Sequence, residues 1–422
     1  MSRPDIRRMP KRANPMEAQA KLLEAVASKK LFTETVPLEQ ALGRVLAKDV
    51  FSKVNIPGYD KTFIDGYAIN PKDTSGALTS KPVEFKVVGK LFPADYPTEA
   101  KVASDEAVYV ACGAPIPKGA SATIKVEETR FNGDKIQVMR EIKQSEGIIP
   151  LGDDVKQGEL ILKRGQILRP QDVGLLAQVG LTTAEVTKKP VIAILSGGDE
   201  LIKQYAKEPT KISNNYALVV AQLSQELGAE AVVKGIMPDA LEQVEAKIGQ
   251  ALSEADIVVT IGGTSVGMKD FVPDAINNLG KPGVVVQGIS LRPGAVSGFG
   301  VVEDKPVVML PGHIGSCVAG FYHFLAPLIR AFSGFENGGL LPHLTAELSE
   351  SVDSGPQFRF LLLHIKRNDT QFVAEPVEGG SSALSTIVKS NGYSIIQPHT
   401  QLTKGTKVDV YLFGKLEMAQ IT

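Results

Sequence analysis

The fold is decided by three stretches of the sequence: VIAILSGGDEL (residues 191–201), IVVTIGGTSVGMKD (257–270) and VVMLPGHIGS (307–316). Each stretch begins with a continuous apolar run and ends in glycines and polar residues. Such a run is typical of a strand that is buried on both faces of a parallel sheet. Apolar residues at helical spacing lie between the runs, at about 215–227 and 241–252. The alternation over residues 190–332 predicts a doubly wound α/β domain with a mostly parallel sheet.

Helices are expected near the N-terminus of the chain. Asn14 is a suitable N-cap and Pro15 suits the first helical position, which predicts a helix from 15 to about 29. A second helix is expected to begin near Pro37, because four apolar residues recur at helical spacing between residues 38 and 46.

Two other regions are rich in strand signals. Residues 51–140 contain short alternating runs separated by proline, glycine and an Asn132-Gly133 turn signal, which indicates a small β-rich domain. Residues 165–180 return to a helical pattern. After Gly334 that pattern ends, and four short runs indicate a C-terminal β-domain: 358–365, 371–374, 393–397 and 407–413.

The composition narrows the functional classes. The chain has 422 residues, enough for about two to four domains. Lys plus Arg is 46 and Asp plus Glu is 47, a net charge of −1 that argues against a nucleic-acid binder. Neither Cys112 nor Cys317 lies in a metal-ligand spacing, which argues against a disulfide scaffold or a structural zinc site and fits a reducing compartment.

Membrane insertion and secretion are not expected. No apolar run approaches the roughly 18–20 residues that span a bilayer. The N-terminal tail, residues 1–11, is basic but is followed by no apolar segment, so it does not resemble a signal peptide. The sequence therefore predicts a cytoplasmic protein.

The loops that follow the three apolar runs are candidate ligand contacts. In open α/β sheets, ligands bind beyond the carboxyl ends of the strands, and glycines let backbone N–H groups approach an anion. The three loops together therefore predict a phosphate or oxyanion site. A single glycine-rich loop is as often only a tight turn.

Acidic residues beside these loops indicate a possible Mg²⁺ site. Asp199 and Glu200 follow the first run, and Asp270 and Asp274 follow the second. Mg²⁺ takes one or two carboxylates together with water and ligand phosphates. Alternatively, Asp270 and Asp274 cap the next helix. Asp65, in an Asp-Gly pair, is by spacing alone most simply a turn residue.

Cys317 follows His313 at the start of a predicted helix. One interpretation is that Cys317 is a nucleophile paired with His313. Packing of a small side chain in the core explains a cysteine there equally well.

Six motifs, in order along residues 15–410, resemble those of the molybdenum insertase family, which comprises bacterial MoeA and the E domains of gephyrin and plant Cnx proteins. The family patterns and their matches are MDGYA with IDGYA (64–68), TGAPxPxGAD…E with CGAPIPKGAS (112–121) and Glu127, GED with GDD (152–154), STGDEL with SGGDEL (196–201), SGGVSxGxxD with GGTSVGMKD (262–270), and GSxxLSSxxxANG with GSSALST (380–386) and SNG (390–392).

The resemblance implies a multi-domain α+β and α/β architecture in an elongated homodimer. Domain I is discontinuous and helical/β, domain II is a β-rich insertion, domain III is a MogA-like doubly wound α/β domain, and domain IV is a C-terminal β-domain. The implied boundaries are 1–51 with 145–189, 52–144, 190–332 and 333–422.

The resemblance also implies an activity. The family inserts molybdate into adenylylated molybdopterin and releases AMP with the help of Mg²⁺. A MogA-like adenylyltransferase is an expected partner, and an unidentified protein partner is a further expectation. The implied catalytic residues are Asp65, Asp154, Glu200 and Asp270, of which Asp65, Glu200 and Asp270 are also the implied metal ligands.

The implied substrate-binding residues come from the glycine loops and from domain IV. Ser265 and Ser381 are expected near the molybdate. The full set is Gly198, Gly262, Gly263, Thr264, Ser265, Gly267, Arg292, Pro293, Gly294, Pro311, Gly312, His313, Ser316 and Ser381.

Several family cations are absent from this chain. In the family's KPGK pattern the first lysine is Arg292 here and the second is Ala295. A family arginine before the GED motif is Ile149, and a domain IV arginine falls on Leu362. His313 stands within the family's PGNPVS loop, and Cys112 replaces a threonine.

These departures leave alternatives to the enzyme. Each lost cation removes a charge-assisted hydrogen bond of about 1.5–3 kcal/mol to an anionic ligand. The chain is therefore expected to be a molybdotransferase, with a non-catalytic dimeric scaffold or an insertase for another oxyanion, such as tungstate, as alternatives.

Overall fold

The computed structural model describes residues 11–202, 212–265, 267, 270–335, 341–368 and 371–414. The chain forms two compact units. The larger unit comprises the described residues of Met1–Glu34, Gly43–Ala47 and Glu185–Thr422, and the smaller unit comprises Thr35–Leu42 and Lys48–Ala184. The division into four domains stays a prediction.

A six-stranded sheet forms the centre of the larger unit. Five of its strands run in the same direction and only Gly298–Val302, which lies between Lys305–Leu310 and Pro282–Gln287, runs in the opposite direction, which confirms the mostly parallel sheet. The order is Glu230–Met237, Val191–Gly197, Ile257–Ile261, Lys305–Leu310, Gly298–Val302 and Pro282–Gln287. The helices are Asn215–Glu226, Leu241–Glu254, Val272–Leu279 and the continuous segment Ile314–Phe332.

The sheet is buried on both faces, as the sequence predicts. Ile192 and Ile194 belong to one core cluster, whereas Ala193 and Leu195 belong to another. Because successive side chains of a strand point to opposite faces, each face of this strand has its own apolar partners. The doubly wound α/β fold is confirmed.

The helix predicted to begin near Cys317 is Ile314–Phe332. It has the length and apolar composition of a membrane-crossing segment, contrary to the prediction that no apolar run approaches that length. Most of it is buried inside the protein, with Phe321, Phe324 and Leu328 in the core. Its middle turn, Phe321–Leu325, is a π-helix. The aromatic residues of this helix therefore lie in the core.

The C-terminal strands close into a small barrel. His343–Leu348, Phe358–Arg367, Phe372–Pro376, Gly392–Ile396 and Lys407–Leu412 pair in a ring, because Phe358–Arg367 pairs with both Phe372–Pro376 and Gly392–Ile396. Closure removes the free edges that an open sheet would present. The same long strand also pairs in parallel with Leu291–Arg292. The shorter elements of this region are Val352–Asp353, Leu384–Val388 and Gln401–Leu402.

The smaller unit contains the predicted β-rich region. Its six-stranded sheet encloses a core that includes Tyr67, Phe85 and Ile136. The Asn132-Gly133 turn joins the last two strands, as predicted. The order is Ala122–Lys125, Gly66–Ile69, Glu106–Val110, Val83–Leu91, Lys135–Val138 and Thr129–Asn132. The predicted helix is Pro170–Gln178, and short strand pairs join Lys61–Thr62 to Ile148–Ile149 and Val50–Phe51 to Leu160–Leu162.

The second predicted helix is wrong. Only one 3₁₀ turn forms, Leu38–Gln40. Gly43 has φ +74°, a left-handed conformation that stops helix propagation, and Leu42 is exposed. Four further short strands are Thr33–Pro37, Thr183–Thr187, Leu201–Ile202 and Ile212–Ser213, and two further 3₁₀ turns are Pro71–Thr74 and Val126–Glu128.

The first helix, Pro15–Val26, is capped by Asn14 as predicted, because the Asn14 side chain accepts from the Met16 N–H at 2.9 Å. Two hydrogen bonds tie this helix to the long one. His323 Nε2 donates to the Pro15 carbonyl at 2.8 Å, and Gln19 Nε2 donates to the His323 carbonyl at 2.7 Å. The His323 ring is buried, and its Nδ1 has no partner among the described residues. Burial lowers the pKa of His323 to about 4, against the smaller opposing effect of the bond to Pro15.

His323 should make folding sensitive to mild acid. The folded-state pKa lies below the ordinary value of about 6.5, so the stabilisation is complete above that value and is lost as the pH falls towards 4. From pH 7.5 to 5 the free energy of unfolding should fall by about 2 kcal/mol through this residue. His323→Gln should remove that dependence in urea titrations at the two pH values, whereas the exposed His343→Gln control should keep it. An unchanged pH dependence in His323→Gln would contradict the assignment.

Candidate functional site

The three glycine loops meet at the carboxyl edge of the parallel strands. Gly262 has φ +81°, and a Cβ atom placed there would lie 3.1 Å from the Gly197 carbonyl oxygen. A Cβ atom placed on Gly312 would lie 3.7 Å from the Gly262 Cα. The Gly262 N–H donates to the Leu310 carbonyl at 2.9 Å. The backbones of the three loops are therefore in direct contact, and a side chain at the centre would separate them.

Two of the predicted acids lie beside these loops. The Glu200 carboxylate lies next to Gly198, because a Cβ atom placed on Gly198 would be 2.5 Å from Oε1. Asp270 Oδ2 accepts from the Gly267 N–H at 2.6 Å and so closes its own loop. No side chain caps the helix Val272–Leu279. The capping alternative for Asp270 is therefore not supported, and Asp274 lies in the first turn of that helix.

Metal binding at this edge can rest on few protein ligands. Within the described ranges, no group of three His, Cys, Asp or Glu side chains is placed to hold a metal ion. Mg²⁺ commonly uses one or two carboxylates and completes its shell with water and phosphate oxygens. Glu200 and Asp270 fit that kind of site and not a closed protein cage.

A cavity of about 1150 Å³ lies in the larger unit, between the helix start at His313 and the barrel. Its walls come from three places: the loop 311–316, the segment 291–296, and the barrel residues 353–362 with 377–387. The Gly315 N–H donates to the Ser381 carbonyl at 2.8 Å, which fixes the helix start against the barrel loop. The volume suits a ligand larger than a single oxyanion.

Nine of the predicted substrate-binding residues line this cavity. Serine hydroxyls lie on both walls, so an anion in the cavity can receive hydrogen bonds from either side. The nine are Ser265, Arg292, Pro293, Gly294, Pro311, Gly312, His313, Ser316 and Ser381. Gly198, Gly262, Gly263 and Gly267 instead belong to the neighbouring loop edge, and Thr264 is buried, with 2% of its surface exposed. A ligand contact by the Thr264 side chain is therefore not supported.

Asp65 and Asp154 belong to the smaller unit. Asp65 Oδ1 accepts from the Cys112 N–H at 3.0 Å, which holds the loop that contains Cys112. Asp154 Oδ2 accepts from Gln178 Nε2 at 3.5 Å. Each carboxylate thus has a local structural partner, and neither lines the cavity of the larger unit.

The cations of the cavity differ from those that the sequence indicates. Ala295 and Leu362, which stand where the resemblance places cations, both line it. Arg292 and His313 are present as expected, and Arg359 is an additional cation that sequence reasoning missed. Asp353 and Glu378 are the missed acids of the lining. Arg359 has no motif around it, and only the pairing of its strand with Leu291–Arg292 brings it to this place.

Cys317 is a core residue. Its side chain is fully buried, and burial raises the pKa of the Cys317 thiol to about 12. A thiol with that pKa does not supply a thiolate at neutral pH. The packing alternative is therefore supported, and the nucleophile pair with His313 is not.

The contact at Gly262 can be tested by adding one methyl group. Gly262→Ala should lower the free energy of unfolding by about 2 kcal/mol or more, because the left-handed backbone and the nearby Gly197 carbonyl both oppose a Cβ atom. Gly228→Ala is the matched control: its φ is +92°, but a Cβ atom there meets nothing within 4 Å. Urea denaturation of both variants measures the difference, and pyrophosphate binding should weaken only in Gly262→Ala. Equal effects on stability would show that the loops do not need this contact.

Comparison with known proteins covers nearly the whole chain. Residues 14–180 match the MoeA N-terminal region (domain I and II), residues 193–331 match a "Probable molybdopterin binding domain", and residues 345–413 match the MoeA C-terminal region (domain IV). A molybdopterin molybdenumtransferase of Haemophilus influenzae is 30% identical over 95% of this chain and 98% of its own length. One of Staphylococcus aureus is 32% identical over 71% of each chain. A crystal structure of a molybdopterin biosynthesis MoeA protein from Pyrococcus horikoshii superposes with a TM-score of 0.83 at 30% identity, covering 96% of this chain and 100% of that one.

Proposed function

Because the chain belongs to the MoeA family and is a transferase of molybdenum cofactor biosynthesis, we propose that it inserts molybdate into adenylylated molybdopterin and releases AMP. The observation that carries the proposal is the juxtaposition, within one unit, of a phosphate-type glycine edge and a cavity with serine and arginine side chains. One part suits a pyrophosphate and the other suits an oxyanion.

The glycine edge is proposed to hold the pyrophosphate of the substrate. Two of its loops lead into the helices that begin at Val272 and Ile314, where partial positive charge favours anions. Glu200 and Asp270 would hold a Mg²⁺ through the substrate phosphates. When bound, that ion neutralises charge on the phosphates and favours departure of AMP.

The cavity is proposed to hold the molybdate next to the dithiolene of the pterin. Ser265, Ser316 and Ser381 can donate hydrogen bonds to the oxyanion, and Arg292 supplies a permanent positive charge. Preorganised donors of this kind position the oxyanion without reorganisation during the reaction. Asp65 and Asp154 stay proposed members of the acidic set.

The assembly of the protein is also a proposal. We propose a cytoplasmic homodimer of four-domain subunits, supplied by a MogA-like adenylyltransferase, as the family resemblance implies. Both cysteines are free thiols. Light scattering on the purified protein should give twice the mass of the chain.

The reaction itself can be assayed directly. Purified protein with adenylylated molybdopterin, Mg²⁺ and molybdate should release AMP, and Glu200→Gln or Asp270→Asn should slow the release about 10- to 1000-fold, since metal and charge stabilisation are weakened. EDTA should abolish the release, and the exposed Glu242→Gln control should keep the wild-type rate.

The same assay separates the alternatives. No AMP release at saturating substrate would contradict the insertase function and favour the non-catalytic dimeric scaffold. Faster AMP release with tungstate than with molybdate, in parallel assays at equal concentrations, would identify tungstate as the substrate.

A further inference from the structure

Two arginines stand side by side in the wall of the cavity. Leu291–Arg292 and Phe358–Arg359 pair in parallel register, so that Arg292 and Arg359 are direct partners. Their Cα atoms are therefore about 5 Å apart, as on any neighbouring strands. The register is anchored by Leu291 and Phe358, which are 0% and 6% exposed, and by a 3.0 Å bond from the Phe358 N–H to the Ser290 carbonyl.

This pair has no counter-ion in the part of the chain that the structure describes. Arg359 Nη1 donates to the Asp353 main-chain carbonyl at 2.7 Å, and no ion pair joins either guanidinium to a carboxylate. Two acids line the same cavity, but the Asp353 carboxylate accepts from the Gly355 N–H at 2.8 Å, and Glu378 lies outside ion-pair distance of both arginines. Arg292 is exposed and Arg359 is half-buried, so solvent only partly screens the repulsion between the two like charges.

An uncompensated arginine pair at a cavity wall favours an anionic ligand. A guanidinium has five N–H donors in a planar fork, and only one of them is used in Arg359. The remaining donors of two adjacent forks suit the oxygens of a tetrahedral dianion. Ala295 and Leu362 stand at the positions where the resemblance places cations. Among the described residues that line the cavity, Arg292 and Arg359 are the only arginines, and there is no lysine.

We propose that Arg359 is a specificity-determining residue that, together with Arg292, binds a tetrahedral oxyanion dianion of the molybdate class. The inference rests on the proposed function for the identity of the oxyanion. Binding by the pair does not depend on insertion or on release of AMP. The two proposals can therefore fail separately.

Calorimetric titration with tungstate and with perrhenate tests the pair, because these are tetrahedral oxyanions with two charges and one charge respectively. The wild type should bind tungstate more tightly. Arg359→Gln and Arg292→Gln should each weaken tungstate binding about tenfold to a hundredfold, since each removes a charge-assisted contact. Perrhenate binding should weaken less, so the preference for the dianion should fall. Arg359→Lys should recover part of the affinity, because it keeps the charge and loses the fork.

The matched control is Arg367→Gln, at the far end of the same strand and outside the cavity lining. It should change tungstate affinity by no more than about twofold. The unfolding midpoint of ligand-free Arg359→Gln should equal or exceed that of the wild type, because a like-charge contact is relieved. A lowered midpoint with unchanged dianion preference would identify Arg359 as a structural residue and overturn the proposal.

Other outcomes are equally decisive. Absence of saturable tungstate binding to the wild type overturns the arginine pair. If the wild type releases no AMP but binds tungstate, and Arg359→Gln loses that binding, the result supports oxyanion binding by the two arginines and contradicts the insertase proposal. AMP release with an unchanged molybdate KM in Arg359→Gln supports the insertase and removes the pair.

Discussion

Aromatic packing between the long helix and the barrel determines the geometry of the larger unit. Tyr393 of the barrel stacks on Phe360 with ring centroids 4.4 Å apart, and it meets Tyr322 of the helix at 5.0 Å. Phe413 stacks on Tyr322 at 4.9 Å. Rings at these distances contribute more than their buried area alone. Because this contact holds the middle of the helix against the barrel, the cavity at the helix start has two fixed walls.

The same helix is apolar in its middle and polar at its start. Its middle is tied to the N-terminal helix through His323, a neutral side chain in an apolar region. Its start faces the cavity through His313 and Ser316 and has polar surroundings. Close contact of glycine backbones next to this start keeps side chains away from the sheet edge. Polar groups are therefore confined to one end of an otherwise apolar unit, where a charged ligand can compensate them.

Sequence reasoning was most successful where the signal is local. The buried strand Ile257–Ile261 was predicted to the residue, since a run of β-branched residues that ends at a glycine is typical of a buried strand. The strand Gly298–Val302 was missed because two glycines interrupt its pattern, and closure of the barrel was missed because strand pairing is non-local. For the site, the glycine loops were predictable because they follow their strands directly. Arg359 was not, since its neighbour lies 67 residues away in the chain, at Arg292.

The apolar residue at position 362 explains why positive charge must come from elsewhere. Leu362 is buried in the same core cluster as Phe360 and Tyr393, which hold the helix to the barrel. Although Leu362 also lines the cavity, a cation there would replace a side chain that is only 9% exposed and packs in that cluster, and its desolvation would cost several kcal/mol unless an anion were always present. On the same strand, Arg359 is half-buried and reaches the cavity wall without entering the cluster. Apolar packing at 362 and positive charge at 359 are thus compatible in one strand, and the cavity keeps its charge without weakening the contact that forms it.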